Sequence, residues 1–244
     1  SKKWVEAVDY GIYSPIALAR YDLEHPILNV GIGVERIAML KHGEEDIRRL
    51  VYPQFCTELE LSDAEIARTI GFEVEPKTRK GRELAKGILS TALRYADEDG
   101  PCEFLAYEDG LLGRNVKVYV YENEKKAKLL GPAAKNYIYV YNGNIVGAPL
   151  KGMDDVKLVK STREKGTPTG IKYIDGIVAL AAAQIEEAAR NGRLNYNLRV
   201  RLARRPSDIN IRVGEVARRF IMNRKKKIDI SGPIFIGIRA EISD

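Results

Sequence analysis

The chain has 244 residues, 45% hydrophobic and 30% charged, with 40 Lys+Arg against 34 Asp+Glu for a formal charge of +6. That is the balance of a folded soluble protein with one large domain or two ordinary ones; no apolar run approaches the roughly 18 residues of a membrane span, and the charged start Ser1-Lys2-Lys3-Trp4 argues against a signal peptide. Two distant cysteines, Cys56 and Cys102, and two histidines, His25 and His42, argue against a disulfide framework, a zinc finger and a Ser-His-Asp triad, so both thiols are expected reduced and buried and the chemistry falls to Arg, Lys, Glu, Asn and backbone.

Residues 4–13 and 26–32 read as short apolar strands. A helix is predicted from Val34 to about Leu50, on the stripe Val34, Ile37, Ala38, Leu40 and Leu50. Ser62 followed by Glu65 is a capping box that opens the next helix. Another runs from about Thr78 to Asp97 and stops at Asp97-Glu98-Asp99-Gly100-Pro101. Beyond Pro101 the period changes from 3.6 to 2, and 104–107, 116–121 and 137–141 read as strands. Asn142-Gly143 between Tyr141 and Asn144 is a two-residue hairpin turn. Residues 150–169 are polar and read as a linker or long loop. A strongly apolar helix follows from Ile174 to about Arg190, ended by Asn191-Gly192. Strands at 198–202 and 209–213, a short helix at 214–224 and a strand at 234–238 complete the chain.

Charge is unevenly spread. Residues 1–150 hold 20 basic and 23 acidic residues, whereas 151–244 hold 20 and 11. Within 190–227 there are 13 basic residues against Asp208 and Glu215 alone. Such a gradient is the footprint of a polyanion-binding end.

The motif with most chemical content is Asn29-Val30-Gly31-Ile32-Gly33-Val34-Glu35-Arg36. It is not a dinucleotide fingerprint, because Arg36 stands where the last glycine of G-x-G-x-x-G belongs. Arg36 falls in the first turn of a helix, where the positive end of the macrodipole disfavours a cation. Glu35 offsets this in part, and a bound polyphosphate would offset it further. The glycines clear side chains from one face of the incoming strand, leaving room for a flat base. A plain strand with a glycine bulge and an exposed Glu-Arg pair is the alternative reading.

Strand-Gly-x-Gly-x-Glu-Arg-helix resembles the third signature motif of class II aminoacyl-tRNA synthetases. A wider set of strings is similar to the phenylalanyl-tRNA synthetase α-like group. It is closer still to the archaeal O-phosphoseryl-tRNA synthetases. These strings are Gly11-Ile12-Tyr13-Ser14-Pro15, Pro26-Ile27-Leu28-Asn29, Glu45-Asp46-Ile47-Arg48, Asp97 to Glu103, Leu129 to Asn136 and Tyr141 to Ile145. The Phe-Arg-x-Glu strand and the dimer-interface helix of the class are missing, so the chain reads as roughly the C-terminal half of such an enzyme.

The resemblance implies an α+β fold. Residues 1–60 would be the C-terminal part of the catalytic domain, with the last antiparallel strand and motif helix of the active-site sheet. Residues 61–150 would be helices plus a β-rich part of the tRNA-binding region, and 151–244 a basic α/β part of the same region. It implies a cytoplasmic, archaeal, ATP-dependent ligase, with Mg2+, that charges cysteine tRNA with O-phosphoserine. A homotetramer is implied, and a partner enzyme that converts the product to cysteinyl-tRNA. A phenylalanyl-type subunit and a catalytically incomplete RNA-binding module are the alternatives. By the same resemblance Arg36 binds ATP, Gly31 and Gly33 floor the adenine pocket, and Glu35 orients Arg36. Asn29, on the same face, is placed to donate to an anionic amino acid.

For the RNA end, period 2 turns Leu198, Val200 and Leu202 inward and sets Arg199 and Arg201 on the open face; with Arg204, Arg205 and a second cluster, Arg218, Arg219 and Arg224 to Lys227, they are expected to contact phosphates. Glu122 and Glu124 are expected to accept from the amino and imino groups of anticodon bases, with Lys125, Lys126 and Lys128 beside them. Phe235 is a candidate stacking ring, with a place in the core as its alternative.

Overall fold

A computed structural model describes residues 5–44, 46–51 and 60–244, which divide into two units, 1–59 and 60–244. In the first unit, strands β1 (Val8–Ile12) and β2 (Leu28–Ile32) pair antiparallel, with Asp9 opposite Gly31 and Gly11 opposite Asn29. Between them lies helix α1 (Pro15–Ala19), opened by proline at its first position, where the missing N–H costs nothing. Helix α2 (Val34–His42) follows β2 directly, with Gly33 as its N-cap. The predicted helix to Leu50 is interrupted. Gly43 adopts φ 69° and its N–H closes on the Met39 carbonyl, the left-handed stop that glycine makes cheaply. A further helical turn, α3 (Arg48–Val51), resumes after it. Val8, Tyr10, Ile12, Leu28, Val30 and Ile32 all remain exposed on this two-stranded ribbon.

The second unit starts at the predicted capping box. Ser62 accepts from the Glu65 amide, and the Glu65 carboxylate accepts from the Ser62 amide, fixing α4 (Asp63–Arg68). A short strand β3 (Ile70–Phe72) leads to α5 (Arg79–Arg94), capped by Thr78 accepting from Gly81 N–H at 2.9 Å. Then come β4 (Cys102–Leu111), β5 (Arg114–Glu122), and the hairpin β6 (Tyr137–Tyr141) and β7 (Asn144–Ala148). Asn142 and Gly143 both have positive φ, 49° and 75°, as the predicted turn requires. The Asp63 carboxylate accepts from both their amides, at 2.8 and 2.7 Å.

Residues 150–169 are not wholly loop. They contain α6 (Lys157–Lys165) and the start of β8 (Thr167–Lys172). Only Val159 and Thr162 of this helix are buried, so its apolar stripe is too thin to show as a period. Helix α7 (Tyr173–Arg190) is buried on most of its surface. The strand predicted at 209–213 is shorter. A 3₁₀ turn, Pro206–Ile209, ends on Asn210 at φ 58°, and only then does β10 (Ile211–Val213) begin. The remaining elements are β9 (Asn195–Ala203), α8 (Glu215–Asn223), β11 (Ile228–Asp229) and β12 (Gly232–Ser243).

The strands form an antiparallel sheet β4-β5-β12-β9, a mixed sheet β11-β7-β6-β8 in which β11 and β7 run parallel, and the pair β10-β3. The fold is thus mixed α and β with mainly antiparallel sheets, as the α+β reading expects. One hydrophobic core extends from Ile66 to Ile242, across position 150 where the charge changes. Leu84 and Ile88 of α5, Ile177 and Ile185 of α7, and Val118, Ile236 and Ile238 of the first sheet are fully enclosed in it, at about 1.5–3 kcal/mol each. Gly87 lets α5 lie on β4, since a Cβ there would come within 2.6 Å of the Ala106 carbonyl oxygen. Cys102 is a free thiol, half-buried rather than buried, and desolvation raises its pKa. Cys56 and Glu45 lie outside the described residues.

Candidate nucleotide motif and nucleic-acid interface

In the first unit Gly33 donates its N–H to the Ala7 carbonyl at 2.9 Å, extending the β1–β2 ladder to the foot of α2. Arg36, in the first turn of the helix, reaches back to the residues before β1 and donates from Nη1 to the Glu6 carbonyl at 2.9 Å. Its orientation therefore comes from backbone. Glu35, expected to orient it, makes no hydrogen bond or ion pair among the described residues and stays exposed near the helix N-terminus. The guanidinium borders a groove of about 600 Å³ lined by Gly33, Glu35, Met39, Ile47, Arg48 and Val51 among others, within the size range of small-molecule sites.

Asn29 and Gly31 share a face of β2, as period 2 requires, while Gly33 lies just past the strand end. The face cleared at Gly31 is crossed by Asp9: a Cβ on Gly31 would come within 2.1 Å of Asp9 Oδ1. Asp9 was not expected here. Its signal was the alternation of β1, which sets it across from Gly31 once the register is known.

In the second unit Glu122, Glu124, Arg199, Arg201 and Phe235 gather in one place, at the end of the β4-β5-β12-β9 sheet. β12 runs between β5 and β9, with Gly237 opposite both Tyr121 and Arg199. A Cβ on Gly237 would come within 2.6 Å of the Tyr121 ring. Glycine thus lets that ring lie across β12, where its hydroxyl donates to Asn197 Oδ1 at 2.7 Å. Between Pro233 and Ile236 the register of β12 against β9 shifts by one residue. Ile234 and Phe235 then stand opposite the single residue Arg201, the arrangement of a β-bulge. Phe235 takes φ 53° and is half-buried, not a core residue. The Arg201 guanidinium sits 5.2 Å from the centre of its ring.

The two charge types pair with each other. Arg201 holds the Glu124 carboxylate through both Nη1 and Nη2, the second at 2.6 Å. This contact keeps the Glu124 carboxyl below the usual carboxylate range and raises Arg201 further. Arg199 Nη2 donates to Glu122 Oε1 at 2.8 Å and the Glu124 amide donates to the same oxygen at 2.9 Å. Glu122 was expected to accept from anticodon bases. Its side chain is instead fully buried, because Val116, Val118, Val120 and Glu122 occupy the core-facing positions of β5. Its Oε2 is buried and without a partner.

Among the described residues no group of three or more His, Cys, Asp or Glu side chains could hold a metal ion, and no helix is long and apolar enough to cross a membrane.

Residues 1–59 match the model of the tRNA synthetases class II core domain (F), and residues 136–171 that of the O-phosphoseryl-tRNA synthetase C-terminal domain. The chain is 46% identical over 242 residues to an O-phosphoserine–tRNA(Cys) ligase of Archaeoglobus fulgidus, covering 99% of this chain and 44% of that protein. A protein of the same name from Methanoregula boonei is 45% identical over 99% of this chain and 42% of its own length, and one from Methanosarcina barkeri 42% over 99% and 44%. The chain spans less than half the length of these relatives.

Proposed function

We propose, from 42–46% identity over 99% of this chain to proteins named O-phosphoserine–tRNA(Cys) ligase, that it is the C-terminal half of such an enzyme. The first unit supplies ATP contacts to the ligation of O-phosphoserine to cysteine tRNA, and the second reads the anticodon. The observation that carries this reading is the convergence of Glu122, Glu124, Arg199, Arg201 and Phe235 on one sheet end, from three strands far apart in sequence.

In the first unit Arg36 offers its remaining guanidinium donors to a nucleotide phosphate, reinforced by the free amides at the start of α2. Gly31 and Gly33 admit the base, and Asp9 swings aside or accepts from an amino group. The site works by positioning and charge neutralisation. Mg2+ bound with the nucleotide would add charge neutralisation at the phosphates to that supplied by Arg36. Asn29, with its amide on the same face, donates to the phosphate of the amino acid. Asn29→Ala in the full-length enzyme is accordingly expected to raise the KM for phosphoserine more than that for ATP. Steady-state kinetics with each substrate varied checks this, and equal effects would make Asn29 a structural residue of the ladder. The homotetramer, the partner enzyme and a cytoplasmic location belong to the same reading.

In the second unit Glu124 is the exposed carboxylate and Phe235 the ring, with Arg201 layered on it. Base entry trades the Glu124–Arg201 contact for a base contact, and Glu122 holds Arg199 and the Glu124 backbone in place. Glu124→Gln is expected to relax discrimination at one anticodon base by about tenfold or more, leaving the other positions unchanged. The measurement is filter binding of cysteine tRNA and its anticodon variants. An equal change for all variants would remove Glu124 from base reading.

A further inference from the structure

We propose that the sequence-independent grip on RNA belongs to Arg218 and the turn Lys225-Lys226-Lys227, rather than to the β9 arginines; this rests on the reading that the second unit binds tRNA. The basic stretch divides by partner. Arg199 and Arg201 are held by Glu122 and Glu124, Arg205 by Asp208, Arg219 by Glu215 and Arg224 by Glu60. Arg190, Arg193, Arg204, Arg212, Arg218 and the three lysines are exposed and form no ion pair among the described residues, and of these only the lysines stand three in a row.

The turn is also fixed in place. Lys226 donates its amide to the Ile221 carbonyl at 2.8 Å, and the Lys227 amide donates to Asn144 Oδ1 at 2.9 Å. The Lys227 carbonyl accepts from Ile145 at 3.0 Å, joining the turn to the β6–β7 hairpin. Its cations are thus displayed on a fixed backbone, which lowers the ordering cost of binding.

The conventional role for such residues is to compensate the C-terminus of α8. That end carries only about half a negative charge, and Arg224 already stands there. Three more adjacent cations repel one another, and no carboxylate among the described residues pairs with them. A polyanion is the chemistry that relieves this. Phe235 lies eight positions after Lys227, so their Cα atoms are at most about 29 Å apart. One folded RNA can therefore touch both. A cation already paired with its own carboxylate releases few counterions on binding a phosphate, whereas an unpaired one contributes fully to salt dependence.

The test is filter binding of a cysteine tRNA transcript to this chain across a range of KCl concentrations. The triple variant Lys225→Gln, Lys226→Gln, Lys227→Gln is expected to bind all tRNAs more weakly alike. Its log K against log salt slope should be shallower by about 2 to 3, with no fall in melting temperature. Arg201→Gln is expected to change the slope by less than one. Loss of slope in the triple variant supports the proposal even if Glu124→Gln keeps its anticodon preference, in which case only the base-reading assignment falls. An unchanged slope in a triple variant of a chain that binds tRNA overturns the proposal alone. So does a larger slope loss in Arg201→Gln. Absence of tRNA binding by the unmodified chain overturns it together with the tRNA-binding reading. Stronger retention on phosphatidylserine vesicles than on tRNA at equal salt would assign the turn to membranes and overturn it as well.

Discussion

Arg36→Ala in the full-length enzyme is expected to weaken ATP use by about 1.5–3 kcal/mol, the worth of a hydrogen bond to a charged group, or roughly 10- to 150-fold in ATP–pyrophosphate exchange with phosphoserine. The physical ground is the position of the side chain. A cation in the first turn of α2 sits at the unfavourable end of the helix dipole, and its one hydrogen bond among the described residues is to the Glu6 carbonyl. Removing it should leave the folding stability of the chain nearly unchanged, since a single exposed hydrogen bond contributes about 1 kcal/mol or less. Wild-type ATP kinetics in the variant would return the Glu35-Arg36 pair to an ordinary helix start.

The second large effect is on stability. Glu186 of α7 is almost fully buried, and its carboxylate accepts from the Lys77 amide at 2.7 Å and the Thr78 amide at 2.8 Å. These amides lie at the entry to α5, so one side chain fastens the two central helices together. Glu186→Ala is expected to cost about 2–4 kcal/mol, because two charge-assisted bonds are lost and two part-buried amides lose their acceptor. Urea unfolding checks this, and a loss below about 1 kcal/mol would show that the helices are held by apolar packing alone. Burial pushes the Glu186 carboxyl up, but hydrogen bonds from Thr78 and Lys77 outweigh it, and the net shift is below the ordinary value of 4.5. A carboxyl lowered on folding contributes fully above its unfolded value and loses that contribution as pH falls through the folded one. The difference between wild type and Glu186→Ala should therefore shrink under acid, below pH 4.5.

Local signals in the sequence told much of the fold. Ser62 with Glu65, the Asn142-Gly143 turn and the Ile174 to Arg190 helix all form as read, because each depends on residues within a few positions of one another. The Gly43 break was visible as a glycine but was overridden by the apolar stripe running past it. Helix α6 was hidden because only two of its side chains are buried, and β10 starts two residues later than read because Asp208 and Asn210 fold the preceding residues into a tight turn. The candidate RNA residues were legible one at a time. Their meeting was not, since Glu122 meets Arg199 and Glu124 meets Arg201 over separations of 77 residues, which no local period encodes. For the same reason the sequence placed Glu122 and Arg199 in separate roles, whereas the sheet order puts them in contact. At Gly31 the glycine suggested open space, and only the β1–β2 register shows Asp9 lying over it.

The bulge in β12 places a different kind of constraint on this sheet end. Arg201 faces Phe235 because two residues of one strand are counted against one of the other. Side chains in the bulge can drift through substitution while the count survives. A one-residue deletion between Pro233 and Ile236 keeps every neighbouring side chain yet slips the start of β12 relative to its end, so that Arg201 loses its ring and the Glu124 contact loses its second support. Selection at this position therefore acts on spacing before it acts on identity, and length polymorphism should be far rarer there than amino-acid replacement.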